Sequence, residues 1–269
     1  MDKVGDLDRR QVLVSLAAAG AGVCAAAAPG VLRTWGPAEA KDGARGHPKT
    51  SPPPPDPGYA HGRPLRALQR PVHRLSELSP AAPPSAVALT IDDGPHPRYT
   101  PMMLDLLAEF QVPATFNMIG VQVSEYPRLV QRIVADGHQV ADHTVTHPLN
   151  LPRLSTARMV QEIGGGHDRI AQTTGVAPRF FRSPGGNWSP AVLDTAAAHG
   201  MICIDWQLDP RDWDQPRSSA GHIGTTLLRA QPGDILLCHD GGGPRERTIE
   251  ALRTVIPTLK KRGLTFVAL

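Results

Sequence analysis

The sequence predicts an α/β fold in which a parallel sheet is covered by helices. From residue 85 onward, short runs rich in β-branched residues alternate with amphipathic helical patterns, as in sheets whose strands are joined by crossover helices. The polar residues that could carry chemistry fall at or just after the C-terminal ends of the predicted strands. Both α/β barrels and open α/β sheets build their sites at that edge, so the pattern indicates either architecture.

Three strands and two helices are predicted in the first half of this region. Residues 86–91 form an apolar run of the length of a buried strand. The next helix places Leu104 and Leu107 on one face, and the helix after it begins at Pro127 and stops at Gly137. The predicted strands are 86–91, 114–118 and 138–142, and the predicted helices are 101–110 and 127–136.

Four more strands and four more helices continue the alternation, which makes seven strands in total. Three consecutive glycines at residues 164–166 fit poorly inside the helical stretch 155–174, so we expect that helix to be shorter or broken. The predicted strands are 179–182, 201–208, 234–239 and 265–268, and the predicted helices are 155–174, 190–199, 219–230 and 248–262.

The composition is that of one globular domain with an appendage. The chain has 269 residues, 41% of them apolar, and a formal net charge of +3. This length and apolar content are enough to bury a sizeable core. Aromatic residues make up only 4% of the chain, and no basic stripe interleaved with aromatics is present, so nucleic-acid binding has no support. No oligomerisation signal is present either, and we expect a monomer.

Residues 1–40 are predicted to be an export signal of the twin-arginine type. Arg9 and Arg10 precede an uncharged Ala/Gly-rich run of modest hydrophobicity, which ends in Ala-Glu-Ala at residues 38–40. A retained membrane anchor or a lipoprotein modified at Cys24 are the alternatives. We therefore expect a secreted or cell-wall-associated protein whose folded domain is not stably inserted in a membrane.

Residues 41–84 are predicted to be a disordered linker between the signal and the folded domain. They contain a proline-rich run at residues 52–57 and little periodic hydrophobicity. Proline at this density favours extended chain that does not pack. The folded domain is expected to span residues 85–269.

Two cysteines lie within the predicted domain. Cys203 and Cys238 fall in two predicted strands, with Cys238 near the C-terminal end of its strand and Cys203 about five residues deeper. At roughly 3.3 Å per residue this offset is too large for a disulfide. We expect two buried thiols.

Two adjacent carboxylates and a histidine pair are the most informative feature of the chain. Asp92 and Asp93 follow the first strand, and His143 and His147 follow the third. Imidazole and carboxylate ligands suit Zn²⁺ and similar divalent ions. One carboxylate can ligate while its neighbour serves as a general base. These residues predict a divalent metal site.

Other interpretations of the same residues exist. The two aspartates could form an ordinary turn that closes a strand. The His-x-x-x-His spacing also occurs in helical zinc proteases, but those enzymes need Glu after the first His. Here residues 144–146 intervene as Thr-Val-Thr, and β-branched residues disfavour a helix. The pair therefore fits a loop at a strand end, and a zinc protease is disfavoured.

Five segments resemble the motifs of the polysaccharide deacetylases, the NodB-homology group also called carbohydrate esterase family four. They occur in the order of that family and cover most of the region after residue 85. The resemblance implies that the alternation closes into a distorted (β/α) barrel of seven strands. The five segments are residues 90–95, 143–148, 182–186, 209–213 and 237–239.

The resemblance implies a metal centre with a general base beside it. Asp93, His143 and His147 would hold one divalent ion, with Zn²⁺ favoured over Co²⁺, Ni²⁺ or Mn²⁺. Asp92 would deprotonate the attacking water, and Arg182 would pair with Asp92 to keep it ionised and oriented.

The resemblance also implies an acid and an acetyl pocket. The backbone N–H of Gly185 would stabilise the oxyanion. His239, oriented by Asp212, would protonate the leaving amine. Trp213 and Leu237 would wall the pocket that receives the acetyl methyl group.

Two residues depart from the family pattern. Ile91 replaces an aromatic before the aspartates, which we expect to affect packing only. Gly185 follows Pro184 where the family usually has an aromatic, so one wall of the sugar groove is missing. Pro184 and Trp188 are predicted substrate contacts, and we expect Trp188 to replace the missing stacking surface.

The function implied by the resemblance is removal of acetyl from N-acetylated amino sugars of a polysaccharide, with release of acetate. Peptidoglycan and chitin-type oligosaccharides are the expected substrates. The alternatives are an O-acetyl esterase acting on xylan, and a non-catalytic glycan-binding domain. The alternatives for single residues are a surface ion pair for Arg182, a core position for Trp213 and a structural role for His239.

Overall fold

A seven-stranded parallel sheet forms the centre of the fold. The computed structural model describes residues 65–78, 82–215 and 217–269. The strand order is β5-β4-β3-β2-β1-β6, with β7 pairing on β1, and all paired strands run parallel. The strands are β1 (Ala86–Asp92), β2 (Thr115–Met118), β3 (Gln139–Asp142), β4 (Phe180–Phe181), β5 (Ile202–Cys203), β6 (Ile235–His239) and β7 (Thr265–Val267).

Helices connect the strands, as the crossover rule for parallel sheets requires. Serine side chains cap three of them: Ser155, Ser189 and Ser219 each accept a backbone N–H of the first helical turn. The helices are α1 (Leu75–Leu78), α2 (Tyr99–Phe110), α3 (Gly120–Glu125), α4 (Pro127–Ala135), α5 (Thr156–Thr174), α6 (Pro190–Ala198), α7 (Ala220–Leu227) and α8 (Glu246–Lys261), with 3₁₀ turns at Leu151–Arg153 and Pro184–Gly186.

The sheet is curled, so that its two ends approach each other. The chain beyond β5 forms a parallel bridge from Leu208 to Leu236 of β6. Leu208 also accepts a hydrogen bond from the Leu237 N–H at 2.9 Å. This confirms the predicted distorted (β/α) barrel. β4 and β5 are shorter than predicted because residues 204–208 leave the ladder with β4 to make these bridges.

The prediction that residues up to 84 form a non-packing linker is wrong for residues 65–78. Val72 is buried and bridges Ile204, and Arg74 bridges Asp234. The Val72 N–H donates to the carbonyl of Cys203 at 2.8 Å. The segment thereby lies between the ends of β5 and β6 and pairs with the backbone next to each of these strands. Its proline content does not reveal this pairing. The predicted export signal and residues 41–64 lie outside the described residues.

The expectation of a broken helix at the three glycines is also wrong. Helix α5 runs without interruption over Thr156–Thr174. A Cβ added at Gly164 would overlap the His199 ring, and one added at Gly166 would overlap the Asp142 carboxylate. The glycines therefore allow close packing of α5 against α6 and β3, and this gain outweighs their low helix propensity.

Both cysteines are buried free thiols, as predicted. Burial raises the pKa of Cys203 to about 12 and that of Cys238 well above its usual value. They are therefore thiols rather than thiolates at neutral pH, and unreactive. Within the described residues, no helix combines the length and apolarity needed to cross a membrane.

Candidate active site

The strand register brings the predicted chemical residues to one edge of the sheet. Asp92 is the last residue of β1 and pairs in register with Asn117 of β2 and with His239 of β6. His143 directly follows β3, and Arg182 directly follows β4. Since all these strands are parallel, their C-terminal ends lie side by side, and residues far apart in the chain meet there.

Asp93, His143 and His147 come together as a potential metal site. One ligand atom from each residue lies within 4.8 Å of the other two. The Oδ1 atom of Asp93 is 3.2 Å from Nε2 of His147 and 3.6 Å from Nε2 of His143. This Oδ1 atom is buried and makes no hydrogen bond to any described residue. A divalent cation would satisfy it, so the donor set fits a metal ion.

Backbone strain is concentrated at this cluster. Asp93, Thr144 and His147 have positive φ angles of 73°, 68° and 59°, which non-glycine residues rarely adopt. The Thr144 N–H donates to Asp142 at 3.0 Å, and the Thr144 hydroxyl accepts the His147 N–H at 3.0 Å. These bonds hold the histidine loop in the conformation that points both imidazoles at Asp93.

The orientation of His143 is fixed by a hydrogen bond. Its Nδ1–H donates to the carbonyl of Arg182 at 2.8 Å, which leaves the lone pair on Nε2 facing the carboxylates. Burial lowers the pKa of His143, although the charges of Asp92 and Asp93 oppose this. The residue therefore presents the neutral form and tautomer that a metal ligand requires.

Asp92 is a buried carboxylate that stays ionised. Its Oδ1 accepts hydrogen bonds from Arg182 at 2.7 Å and from Asn117 at 2.6 Å. Burial alone would raise the pKa of Asp92, but the charges of Arg182 and His239 and the Asn117 amide together hold it below its usual value. The residue can therefore accept a proton at neutral pH.

Arg182 is fully buried and does more than pair with Asp92. The same Nη1 atom donates to the Thr90 hydroxyl at 2.8 Å, and Nη2 donates to the carbonyl of Asp205 at 2.9 Å. Its guanidinium also lies 5.6 Å from the ring centre of Trp206. These contacts rule out the alternative of a surface ion pair.

His239 and Asp212 form the second charged pair of the site. The His239 Nδ1–H donates to Oδ1 of Asp212 at 2.7 Å, and the Thr248 hydroxyl and the His239 N–H both donate to Oδ2 of Asp212, each at 2.9 Å. Burial disfavours the imidazolium, but the Asp212 carboxylate raises the pKa of His239 to about 9. His239 is therefore a protonated acid at neutral pH, with Nε2–H as its free donor.

Gly185 lies on the turn after β4. It is exposed, with φ 63° and ψ 16°, between the buried Pro184 and the half-buried Gly186. A positive φ costs glycine nothing, so the turn can present its backbone N–H at the edge of the site without strain.

Comparison with known proteins identifies the family. A family model for polysaccharide deacetylases matches residues 79–204. The chitooligosaccharide deacetylase of Bradyrhizobium sp. (strain ANU 289) is 41% identical over 191 residues, which cover 66% of this chain and 86% of that protein. The chain belongs to the polysaccharide deacetylase family.

Two further relatives agree with this assignment. A peptidoglycan-N-acetylglucosamine deacetylase of Bacillus cereus is 40% identical over 185 residues, covering 67% of this chain and 84% of that protein. The crystal structure of the Bc1960 peptidoglycan N-acetylglucosamine deacetylase matches with a TM-score of 0.65 and 33% identity, over 69% of this chain and 86% of that one. This polysaccharide deacetylase is thus a hydrolase, and the predicted resemblance to the family is confirmed.

The predicted pocket residues of this polysaccharide deacetylase differ in exposure. Trp213 is 45% exposed and lies under the guanidinium of Arg211, so it is not a core residue. Leu237 is buried within β6. The Trp188 indole N–H donates to Asp205 at 2.8 Å, and its ring packs edge-on against Phe181. Trp188 is therefore anchored in the core on one side and half-buried overall.

Several residues of the site were missed from the sequence. Asn117 and Thr248 donate to the carboxylates of Asp92 and Asp212, and the buried Arg245 donates to the carbonyls of Gly241 and Asp212 at 2.8 and 3.2 Å. Asn117 pairs in register with Asp92 on the neighbouring strand. The predicted strands alone could have suggested this contact. Nothing in the local sequence distinguishes Thr248 or Arg245, because both lie at the start of α8 and act across the sheet edge.

The glycines after Asp240 also serve the site. A Cβ added at Gly241 would overlap the carbonyl of Asp93, and one added at Gly242 would lie 2.6 Å from Oδ2 of Asp93. The loop therefore packs directly over Asp93. Asp240 is itself buried, and burial raises its pKa to about 7. Its Oδ2 accepts the Thr100 hydroxyl at 2.5 Å.

Proposed function

We propose that the chain removes acetyl groups from N-acetylated amino sugars of a polysaccharide and releases acetate. The observation that carries this proposal is the pairing of an ionised carboxylate, Asp92, with a protonated imidazole, His239, beside the cluster of Asp93, His143 and His147. Amide hydrolysis needs both a base for water and an acid for the leaving nitrogen.

Asp93, His143 and His147 would hold one divalent metal ion. The buried Oδ1 of Asp93, which no described residue satisfies, supports this. When bound, such an ion polarises a carbonyl oxygen and lowers the pKa of water. Two imidazoles and a carboxylate suit Zn²⁺ best, and Co²⁺, Ni²⁺ or Mn²⁺ fit the same donors.

Asp92 acts as the general base. Its Oδ1 is held by Arg182 and Asn117, so Oδ2 is the atom that accepts a proton from the attacking water. The new C–O bond forms at the acetyl carbon, and negative charge develops on the former carbonyl oxygen. Arg182 keeps Asp92 ionised until this step and orients it through a network that is anchored on Thr90.

His239 acts as the general acid. Its Nδ1–H is committed to Asp212, so Nε2–H is the proton delivered to the sugar nitrogen. The C–N bond breaks as that nitrogen becomes an amine, and acetate leaves with the oxygen of the water. Asp212 stabilises the imidazolium before the transfer and fixes its orientation.

The remaining contacts bind and shape the substrate. We assign the backbone N–H of Gly185 as a donor to the oxyanion. The exposed Trp213 and the buried Leu237 wall the acetyl pocket. Pro184 and Trp188 contact the saccharide, with Trp188 offering the side of its ring that does not pack on Phe181.

The relatives support this substrate class. Two of them, 41% and 40% identical in sequence, are named for chitooligosaccharides and for the N-acetylglucosamine of peptidoglycan. Both are polymers of N-acetylated amino sugars, and an amide nitrogen needs an acid such as His239 more than an ester oxygen does. This favours the amino-sugar substrates over acetylated xylan.

The setting of the enzyme is inferred from the N-terminal sequence alone. We propose that residues 1–40, with Arg9 and Arg10, direct export by the twin-arginine route. The domain of residues 85–269, together with residues 65–78 that pack on it, would act as a monomer outside the cell or in its wall.

Acetate release tests the proposal. The full-length chain, loaded with Zn²⁺, is given N-acetylglucosamine oligomers, peptidoglycan and acetylated xylan in parallel, with a chelated sample and the Asp92→Asn variant as controls. We expect chelator-sensitive release from the amino-sugar polymers that the variant loses. Release from xylan alone would identify an O-acetyl esterase. Zn²⁺ binding without release from any of the three would identify a glycan-binding module.

A further inference from the structure

The side chain of Asn187 joins two loops of the active site. Its Nδ2 donates to the carbonyl of Leu149 at 3.0 Å and to the carbonyl of Pro184 at 3.1 Å. Leu149 follows His147 by two residues, and Pro184 directly precedes Gly185. Because both acceptors are carbonyl oxygens, only the NH₂ group of Asn187 can face them. We call this arrangement the Asn187 clamp.

The clamp is itself held in place from both sides. The Ser183 hydroxyl donates to the carbonyl of Asn187 at 2.5 Å. On the other side, Leu149 lies on a short turn that ends at the fully buried Leu151, whose N–H donates to the carbonyl of Pro148 at 3.0 Å. The two loops therefore cannot move apart without breaking the Asn187 bonds.

The clamp occupies the space that a side chain at Gly185 would enter. A Cβ added there would lie 2.9 Å from Nδ2 of Asn187 and 3.2 Å from Cδ2 of Leu149. The Leu149 side chain thus lies beside the backbone of Gly185 and occupies the space that a larger residue at position 185 would use. Leu149 is nevertheless 62% exposed, so its outer surface faces the solvent at the edge of the site.

We propose that Leu149 is a specificity-determining residue that contacts the saccharide, and that Asn187 is the positioning residue that holds Leu149 and Gly185 together. This rests on the proposed function, because the group lying beside the Gly185 N–H during reaction is then the N-acetylated sugar. The C–H face of a pyranose ring is apolar, and a leucine fixed at that edge gives it a surface to cover.

The two residues have different expected effects on the kinetics. The Leu149 side chain acts on substrate binding and carries no proton, so Leu149→Ala raises KM for an N-acetylglucosamine tetramer about 10-fold and leaves kcat within about twofold. Asn187→Ala releases both Leu149 and the turn of Gly185, so it raises KM by a similar factor and also lowers kcat, by about 10-fold.

The experiment uses the full-length Zn²⁺-loaded protein with four single variants and one double variant. Leu68→Ala is the control for Leu149→Ala, since Leu68 is also an exposed leucine, at 46%, and lies outside the site. Asn150→Ala is the control for Asn187→Ala because Asn150 is an exposed residue of the same turn as Leu149. Both controls should match the unmodified protein in kcat and KM.

A double variant tests whether Asn187 and Leu149 act together or affect KM independently. If Asn187 acts on KM by holding Leu149, Leu149→Ala combined with Asn187→Ala should show the KM of either single variant rather than the product of both effects. Tetramer binding to the same variants in the Asp92→Asn background, followed by calorimetry, should show matching losses in affinity. Melting temperatures of all variants verify that each protein is folded.

The outcomes distinguish this inference from the proposed function. If the unmodified protein releases acetate while Leu149→Ala keeps its KM and its tetramer affinity, Leu149 makes no substrate contact and the inference is wrong. If the KM of the double variant rises by the product of the two single effects, Asn187 does not act through Leu149. If the unmodified protein releases no acetate from any amino-sugar polymer, the proposed function fails first, and this inference fails with it.

Discussion

Asp92 and His239 are in-register neighbours on the parallel strands β1 and β6, and their pKa values are displaced in opposite directions. Arg182 and Asn117 hold the pKa of Asp92 below its usual value against the effect of burial, and Asp212 raises that of His239 to about 9. At neutral pH one residue is therefore an ionised base and the other a protonated acid. Such divergent environments are a general way to assign acid and base roles.

The ionisation of Asp92 gives a pH-dependent prediction. Asn117→Ala removes a hydrogen bond that favours the carboxylate, so the pKa of Asp92 rises and a larger fraction is protonated in weak acid. The low-pH limb of kcat/KM should therefore move to higher pH, with the high-pH limb unchanged. Acetate release from an N-acetylglucosamine oligomer between pH 4 and 10 measures both limbs. A low-pH limb that stays in place would show that Asp92 is not the group titrating there.

The role of His239 predicts a dependence on the leaving group. His239→Ala should lower kcat on an N-acetyl substrate about 100- to 10,000-fold, the usual contribution of a general acid. On an aryl acetate the loss should be much smaller, because a phenolate leaves without protonation. Parallel assays on the two substrates give the ratio. An equal fall in kcat on the two substrates would indicate that His239 has a structural role in the site and does not transfer a proton.

Metal binding predicts a stability effect that does not require activity. A ligand that binds only the folded protein stabilises it by about 2.7 kcal/mol at 100 times its Kd, so Zn²⁺ should raise Tm of the chelator-stripped protein. His147→Ala removes one donor of the cluster and should abolish most of that rise. His222→Ala, an exposed histidine of α7, is the control and should keep it. An equal rise in both variants would place the ion elsewhere.

Two glycines in different helices predict opposite effects for the same substitution. Gly166→Ala would drive a Cβ into the Asp142 carboxylate, and such overpacking costs about 1–3 kcal/mol. Gly221→Ala, in helix α7, meets only the Ser219 hydroxyl at 3.8 Å and should stabilise by about 0.5–1 kcal/mol through helix propensity. Urea unfolding of both variants provides the comparison. Stabilisation by Gly166→Ala would mean that α5 can move away from β3 at little cost.

Much of the fold and the site could be predicted from the sequence because both depend on local patterns. The apolar run of β1 and the face of α2 with Leu104 and Leu107 follow from periodicity. Asp92, Asp93, His143 and His147 were found by residue type and by their place after strands. The structure brings all four together, as the shared edge of a parallel sheet requires.

The residues that were missed act across long distances in the chain. Asn117, Arg245 and Thr248 contact the carboxylates of the site or their loops, but each lies in a segment whose own pattern is only that of a strand or a helix. The three glycines of α5 were misread for the same reason, since His199 and Asp142, which exclude a Cβ, come from other elements.

The sequence by itself determined the order of the seven strands and the six longest helices, the family and the identity of the residues at the sheet edge, because periodicity and short motifs are local properties. Only the tertiary structure decided that residues 65–78 pack between β5 and β6, that α5 is unbroken, and that Asn187 joins two loops across Gly185. It also decided the pKa values of Asp92 and His239. These depend on burial and on charges brought within a few ångströms by folding, and sequence separation carries no information about such distances.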